Sequence, residues 1–449
     1  MAAPGYAYLS LGAARTELAA RLEDPTFVYW TIPELNDLIT QAIRTWQALT
    51  GTYKQPAQFD ILPGGGVSAS AFYDLNFATN PFNFFVTDQQ VINTVLAVLL
   101  ESPLTSTPPF WTPTGQFQFR QIANALQNRL NRWLTDSGAN IRRNLQFAGG
   151  PTSPRIFLPE GVLDVRRAAW QSLAGIYSTL WRDDEYAMQA FRFGGNLTPV
   201  DPPVVWGKFT IPPVGIEVYP PPLNDGFIET LVVASGPQIG TTPAEIALTP
   251  TVVDIPEDFI WGPVFGTLSD LFAADGPMRD PDRALYAESR YQESAELYRM
   301  IPTLIDTKIN GVQIWTGSVF ELDSYFRNWQ SSADVPQFAG MCDRNLVAFA
   351  PTPNALYTVT MNVVANIPLP ATDADFIQVD RGALNPLLDY AQHLASFKMA
   401  GAEFHNTDRL RQNFYLAAAL ENSRITKGNF YRSALQLPPL RQQAEVPRI

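Results

Sequence analysis

The chain holds one cysteine, Cys342, and two histidines, His393 and His405, in 449 residues. A lone cysteine excludes an intramolecular disulfide framework. Together with only two histidines it also excludes a zinc finger or ribbon. Charge is scarce: Asp, Glu, Lys and Arg make up 16% of the chain, against roughly 25% in an average soluble domain. The balance is acidic, 31 Lys plus Arg against 43 Asp plus Glu, a net of −12. Phosphate binding draws on Lys and Arg, so coating nucleic acid through the bulk surface is not expected. Long apolar runs are missing too. The longest, near Val95–Leu100, is far below the roughly 18 residues of a spanning helix, and no membrane partner is expected. Residues 1–30 carry Arg15 and Arg21 in an amphipathic pattern and lack the apolar centre of a signal peptide.

Signatures of chemistry are equally thin. Gly64-Gly65-Gly66 is not followed by the Gly-Lys-Ser/Thr of a phosphate-binding loop and reads as a hinge. No Gly-x-Ser-x-Gly elbow is present. His393 and His405 are separated by Gly401, which rules out one helical metal-binding face, and His393 reads as a packing residue. Cys342, expected in a loop with Met341 and Asp343, has no neighbouring base and reads as a plain thiol. Asp183-Asp184-Glu185 lacks the spacing of a calcium loop and reads as a solvated turn or helix start. Asn196-Leu197-Thr198 fits a glycosylation sequon but has no secretion signal to go with it. The expected catalytic, cofactor and metal residues are therefore none, and no enzyme is expected.

What the chain has is apolar and aromatic surface: 46% apolar residues, 12% aromatic and 38 prolines. Little charge beside many aromatics points to a surface that meets other protein. Helices are legible in the first 150 residues. Ala14, Leu18 and Leu22 form one face. Thr31-Ile32-Pro33-Glu34 is a capping box opening a helix through Leu35, Ile39, Ile43 and Trp46 to Gly51. A second box, Thr87 to Gln90, opens a helix through Leu100. A fourth helix runs from Phe119 to a stop near Gly138.

Beyond residue 157, short strands alternate with proline-rich loops: Ile216–Tyr219, Glu229–Ala234, Leu346–Ala350 and Tyr357–Val364. Helical pairs are expected at 256–274 with 281–299 and at 382–399 with 407–424. The features recur in order. Leu163-Asp164 and Trp170-Gln171 match Leu322-Asp323 and Trp329-Gln330. Val218-Tyr219-Pro220-Pro221 matches Phe349-Ala350-Pro351 and its neighbours. Strands ending Val232-Val233-Ala234 and Val363-Val364-Ala365 follow, then Val253-Asp254 and Val379-Asp380, then the helical pairs. The expected fold is α+β, an N-terminal helical bundle followed by two diverged repeats of short antiparallel strands plus a helical pair. The expected division is 1–150 helical, 151–305 first repeat, 306–426 second repeat, and 427–449 an extended basic arm. Residues 422–449 hold Arg424, Lys427, Arg432, Arg441 and Arg448 against Glu445. With Pro438, Pro439 and Pro447 excluding a long helix, this arm, and Arg432, Arg441 and Arg448 in it, is the expected partner-docking element.

Leu18-x-x-Arg21-Leu22-x-Asp24-Pro25, an aromatic pair, then Trp30-Thr31-Ile32-Pro33-Glu34-Leu35 through Trp46 resembles the opening helical hairpin of tailed-bacteriophage head–tail connector (neck adaptor) proteins. Pro256-Glu257-Asp258-Phe259, Gly266-x-Leu268, Asp275-Gly276 and Arg283-x-x-Tyr286-x-x-x-Arg290-Tyr291 resemble a helical pair of the same class. The resemblance implies a homo-oligomeric ring, commonly twelvefold, in the neck of a virion assembled in the host cytoplasm. It would join portal protein to tail, nozzle or fibre proteins, with DNA passing nearby without specific binding. The alternative is a collar or tail-fibre-anchoring protein of the neck.

Overall fold

The computed structural model describes residues 9–62, 71–74, 86–113, 116–150, 155–184, 198–209, 214–276, 279–300, 304–326, 328–344, 346–364, 367–379, 381–398 and 403–434. Helix α1 (Leu11–Arg21) buries Ala14 and Leu18. Helix α2 (Ile32–Thr50) starts where its capping box places it, with Glu34 accepting the Thr31 N–H at 2.8 Å. It ends at Gly51, whose φ of 56° is a left-handed cap that glycine takes without steric cost. Strands β1 (Lys54–Ile61) and β2 (Phe72–Asp74) follow. The same order then recurs: α3 (Asp88–Val98), α4 (Phe119–Ser137) capped by left-handed Gly138, β3 (Ile141–Ala148) and β4 (Arg155–Phe157).

Six strands come next: β5 (Val162–Ser172), β6 (Tyr177–Thr179), β7 (Trp181–Arg182), β8 (Val205–Phe209), β9 (Gly215–Tyr219) and β10 (Gly226–Ala234). They lead to α5 (Pro243–Leu248), a 3-10 turn at Glu257–Phe259, α6 (Trp261–Ala273) and α7 (Pro281–Met300). The remaining strands and their insertions are β11 (Leu304–Ile309), β12 (Val312–Ser318), α8 (Val319–Tyr325), a 3-10 turn at Trp329–Ser331, β13 (Ala333–Asp334), β14 (Phe338–Asp343), β15 (Leu346–Ala350), β16 (Thr352–Pro353) and β17 (Tyr357–Val364). Helices α9 (Arg381–Ser396), α10 (Glu403–Asn406) and α11 (Asp408–Ala434) complete a mixed α and β chain.

The sheets follow one plan twice. One seven-stranded sheet has the order β1-β17-β11-β12-β14-β15-β2. Two four-stranded sheets have the orders β3-β10-β5-β6 and β7-β8-β9-β4. Strand β12 pairs with β11 through Val312–Ile314 and then with β14 through Trp315–Ser318. Strands β6 and β7, parted only by Leu180, divide their pairing between β5 and β8 in the same way. Pairing senses agree at each step. They are antiparallel up to that switch, parallel just after it (β12 with β14, β7 with β8), and antiparallel beyond. Helices agree as well: α2 packs on α9 and α11, and α4 packs on α6 and α7.

Three expectations are corrected by this pairing. Residues 1–150 do not pack as a helical body of their own. Strands β1 and β2 complete the sheet of residues 304–364, whereas β3 and β4 complete those of 162–234. An edge strand far away in sequence satisfies a backbone ladder as well as a near one, and helical periodicity carries no trace of it. Secondly, the Leu163 to Gln171 and Leu322 to Gln330 segments are not equivalent. The first lies in β5; the second is α8, nucleated by a Ser318/Glu321 capping box, with the 3-10 turn. Thirdly, the arm is not extended from 427, because 427–434 belongs to α11. No proline lies between residue 427 and Pro438, and Gly428 alone costs a helix only about 1 kcal/mol.

Helices from both halves of the plan share one core. Phe397, just after α9, meets Phe265 of α6 with ring centroids 5.4 Å apart. Phe414 of α11 stacks on Tyr390 at 4.3 Å and meets Trp46 of α2 edge-on at 5.7 Å. Each such side chain contributes roughly 1.5–3 kcal/mol by leaving water. The strands enclose separate apolar layers, one between the two four-stranded sheets and one inside the folded seven-stranded sheet.

Candidate assembly surface

Beside the switch in β12 lies an open apolar cavity of about 250 Å³. Its walls are Trp315, Tyr325, Phe326, Phe338 and Pro351, and its floor is Trp329. The register of β12 and β14 sets Trp315 opposite Phe338. Helix α8 delivers Tyr325 at its last position. Trp329 is buried, while Trp315, Tyr325 and Phe326 are 42%, 49% and 55% exposed. A cavity below the roughly 300 Å³ of small-molecule sites suits one or two side chains of a partner.

The floor is fixed from beneath. Trp329 Nε1 donates to Asp323 at 2.9 Å, and Phe72 of β2 packs edge-on at 5.8 Å. Asp323 also takes two hydrogen bonds from Arg167 of β5, at 2.6 and 2.8 Å. Arg167 donates further to Gln330 at 2.9 Å and Thr179 at 3.1 Å. Gln330 donates to Glu229 at 2.6 Å, and Glu229 accepts from Arg143 at 2.5 Å. Burial alone would lower the Arg167 pKa, but the charge and hydrogen bonds of Asp323, then Glu229, turn the shift upward. The guanidinium stays charged, and the two strand units are joined by a buried, paired network.

The second unit also exposes a tryptophan at this step. Trp181 pairs with Val205 as Trp315 pairs with Phe338, at the start of the parallel step, and its side chain is 56% exposed. Exposed Val200, Val204 and Leu223 belong to the adjoining segments, where Trp181 N–H donates to Val204 O and Leu223 N–H to Val200 O. Neither Trp181 nor Trp315 falls in a run that the sequence marks as a strand, and aromatic content alone does not place them.

A wider groove of about 770 Å³ runs between α2, α3 and the start of α6. Its charged walls pair with each other: Lys398 with Glu34 at 2.6 Å, Arg44 with Glu257 at 3.1 Å. Burial, then the Glu34 charge, pushes the Asp37 carboxyl up to about 6.

The residues weighed for chemistry are absorbed by structure. His393 is fully buried, its ring held between the Tyr286 and Thr407 hydroxyls. Burial, then the Arg290 and Arg411 charges, pushes its pKa down to about 3. Cys342 lies in β14, not a loop, and burial pushes its thiol well above the ordinary range. Asp183 and Asp184 follow β7; Glu185 lies outside the described residues, as do Gly64–Gly66, Asn196, Leu197 and Gly401. Arg432 is in the α11 backbone, whereas Arg441 and Arg448 lie outside the described residues. Among the described residues no group of three His, Cys, Asp or Glu side chains could hold a metal ion, and no helix is long and apolar enough to cross a membrane. No family model matches the chain, and no curated protein matches it either.

Proposed function

We propose that this chain is a non-enzymatic structural subunit of a tailed-phage virion neck, a head–tail connector that forms a ring between portal and tail. In this reading it contains two copies of one strand-and-helix unit. The copy at 86–300 is inserted between β2 and β11 of the copy at 9–74 and 304–434. The observation that carries the reading is the recurrence of a half-exposed tryptophan, Trp181 and Trp315, at the same step of both units. A large apolar side chain left half in water at matching places suits a protein-binding surface, where tryptophan is a favoured anchor. Scarce charge agrees, because interface centres are depleted of charged residues. The helical hairpin at Leu18–Trp46 supplies the likeness to connector proteins. A closed ring would use heterologous contacts, each copy offering one face to the next.

Electron microscopy and mass photometry of the purified chain, alone and mixed with portal protein, test this. Closed rings are expected in at least one of the two. Monomers in both would overturn the reading. Antibody labelling of particles at the fibre attachment points, and not at the neck ring, would move the protein to a collar or fibre anchor.

A further inference from the structure

We propose that the cavity at Trp315 is the docking site for the Leu437-Pro438-Pro439-Leu440 segment of a neighbouring copy of this chain. This rests on the assembly reading, since it needs a second copy alongside.

The cavity asks for a rigid apolar ligand. Trp315, Tyr325 and Phe326 stand half in water around a buried Trp329 floor, and Pro351 closes one wall. Aromatic-lined grooves of this kind take proline-rich segments, because two consecutive prolines lose little conformational freedom on binding. Leu437 to Leu440 is such a segment, two prolines flanked by leucines. It falls within residues 435–449, which follow the end of α11 at Ala434. Charge agrees in sign. Glu321 lies one helical turn before Tyr325, and Asp334 of β13 lies in sequence between the lining Ser332 and Gln337, both acids exposed. Arg441 immediately follows the Leu-Pro-Pro-Leu run. The floor is preorganised, since the Trp329 indole is already held by Asp323 and need not be ordered on binding. The origin of the segment favours a neighbour: α11 packs on α2 and α9 in the helical core, whereas the cavity belongs to the sheet.

The host for the test is the full-length chain carrying Pro438→Ser and Pro439→Ser, which leaves its own cavity free. A fluorescent peptide of residues 433–449 is titrated against it by polarisation. Saturable binding is expected, weakened roughly tenfold or more by Trp315→Ala in the host or by both Pro→Ser changes in the peptide. Trp315→Phe, with an unchanged thermal melt, is expected to keep most of the binding and so separates docking from folding. No saturable binding, or binding indifferent to the Trp315 substitutions, would overturn the proposal. A photo-crosslinker replacing Leu440 in the full-length chain is expected to join two chains near Trp315 and Phe338. Products confined within one chain would overturn the assignment to a neighbour. Peptide binding without rings on portal would remove the ring reading alone; rings without peptide binding would remove this proposal alone.

Discussion

Arg167 Nε and Nη2 hold the two carboxylate oxygens of Asp323 at 2.6 and 2.8 Å, across the boundary between the two strand units. The Arg167 side chain is 2% exposed and that of Asp323 11%, so water does not replace either partner if the other is lost. The same carboxylate anchors the Trp329 indole, which ties the floor of the aromatic cavity to the junction of the units.

Replacing Arg167 by Ala therefore leaves Asp323 an uncompensated buried acid, while Glu229 keeps Arg143 at 2.5 Å. The expected cost is about 3–5 kcal/mol of unfolding free energy. Lys in its place restores little, because one ammonium cannot serve the fork that Asp323, Gln330 and Thr179 share. Urea unfolding of both variants checks this; a loss below 1 kcal/mol for Arg167→Ala would refute the network's role.

Gly262 sets the approach of α6 to α4 and α7. A Cβ there would lie 2.2 Å from Ser294 Oγ and 2.7 Å from Trp133 Nε1, which are hydrogen-bonded to each other at 2.8 Å. Gly262→Ala is expected to cost about 1–3 kcal/mol through forced separation. Gly149→Ala, whose Cβ meets only a Phe147 ring atom at 3.9 Å, is the control and stays within about 0.5 kcal/mol. Equal melting temperatures for the two variants would contradict this account.

Local structure was largely legible in the sequence and long-range pairing was not. Thr31, Glu34 and Gly51 bounded α2 because capping is settled within a few residues. Tyr357–Val364 was legible as a strand from its β-branched alternation, with Tyr357, Val359, Met361 and Val363 buried. Its partner β1 was missed. Lys54–Ile61 contains Pro56 and shows mostly polar or half-exposed positions, as an edge strand can. Tyr219-Pro220 and Ala350-Pro351 each follow directly on a strand, β9 and β15. Helical periodicity in residues 1–150 suggests a separate bundle, because nothing local says that α2 packs with residues 381–434. Trp315 and Trp181 could be counted but not placed, since exposure depends on what the rest of the chain covers.

Asp37 gives a pH test in the wide groove. Its folded pKa of about 6 lies above the ordinary 3.8, so its contribution is fully present below about pH 3.8 and is lost as pH rises through 6. At neutral pH the ionised carboxyl costs stability. The side chain is more than a third exposed, so water screens it and the cost is at most about 1 kcal/mol. Asp37→Asn is expected to raise the melting temperature at pH 7.5 and to change little at pH 4. An equal shift at both values would show that the amide acts through packing and not through charge.

His393 gives the opposite slope. Its folded pKa of about 3 lies below the 6.5 of an unperturbed imidazole, so the unfolded chain takes up the proton first as pH falls. Its contribution is fully present above pH 6.5 and is lost progressively towards pH 3, by up to about 1.4 kcal/mol per unit. The ring cannot relieve this by turning. Both ring nitrogens already meet hydroxyls, Nδ1 that of Thr407 and Nε2 that of Tyr286. Protonation would make both nitrogens donors beside the Arg290 and Arg411 charges. His393→Phe is expected to lose about 1–3 kcal/mol at neutral pH, through the Tyr286 hydroxyl left without its partner. It is also expected to flatten the fall in stability between pH 6.5 and 4. Denaturant titrations of both chains across that range decide the matter: parallel slopes would mean that His393 is already charged in the folded state, and the buried neutral imidazole would have to be abandoned.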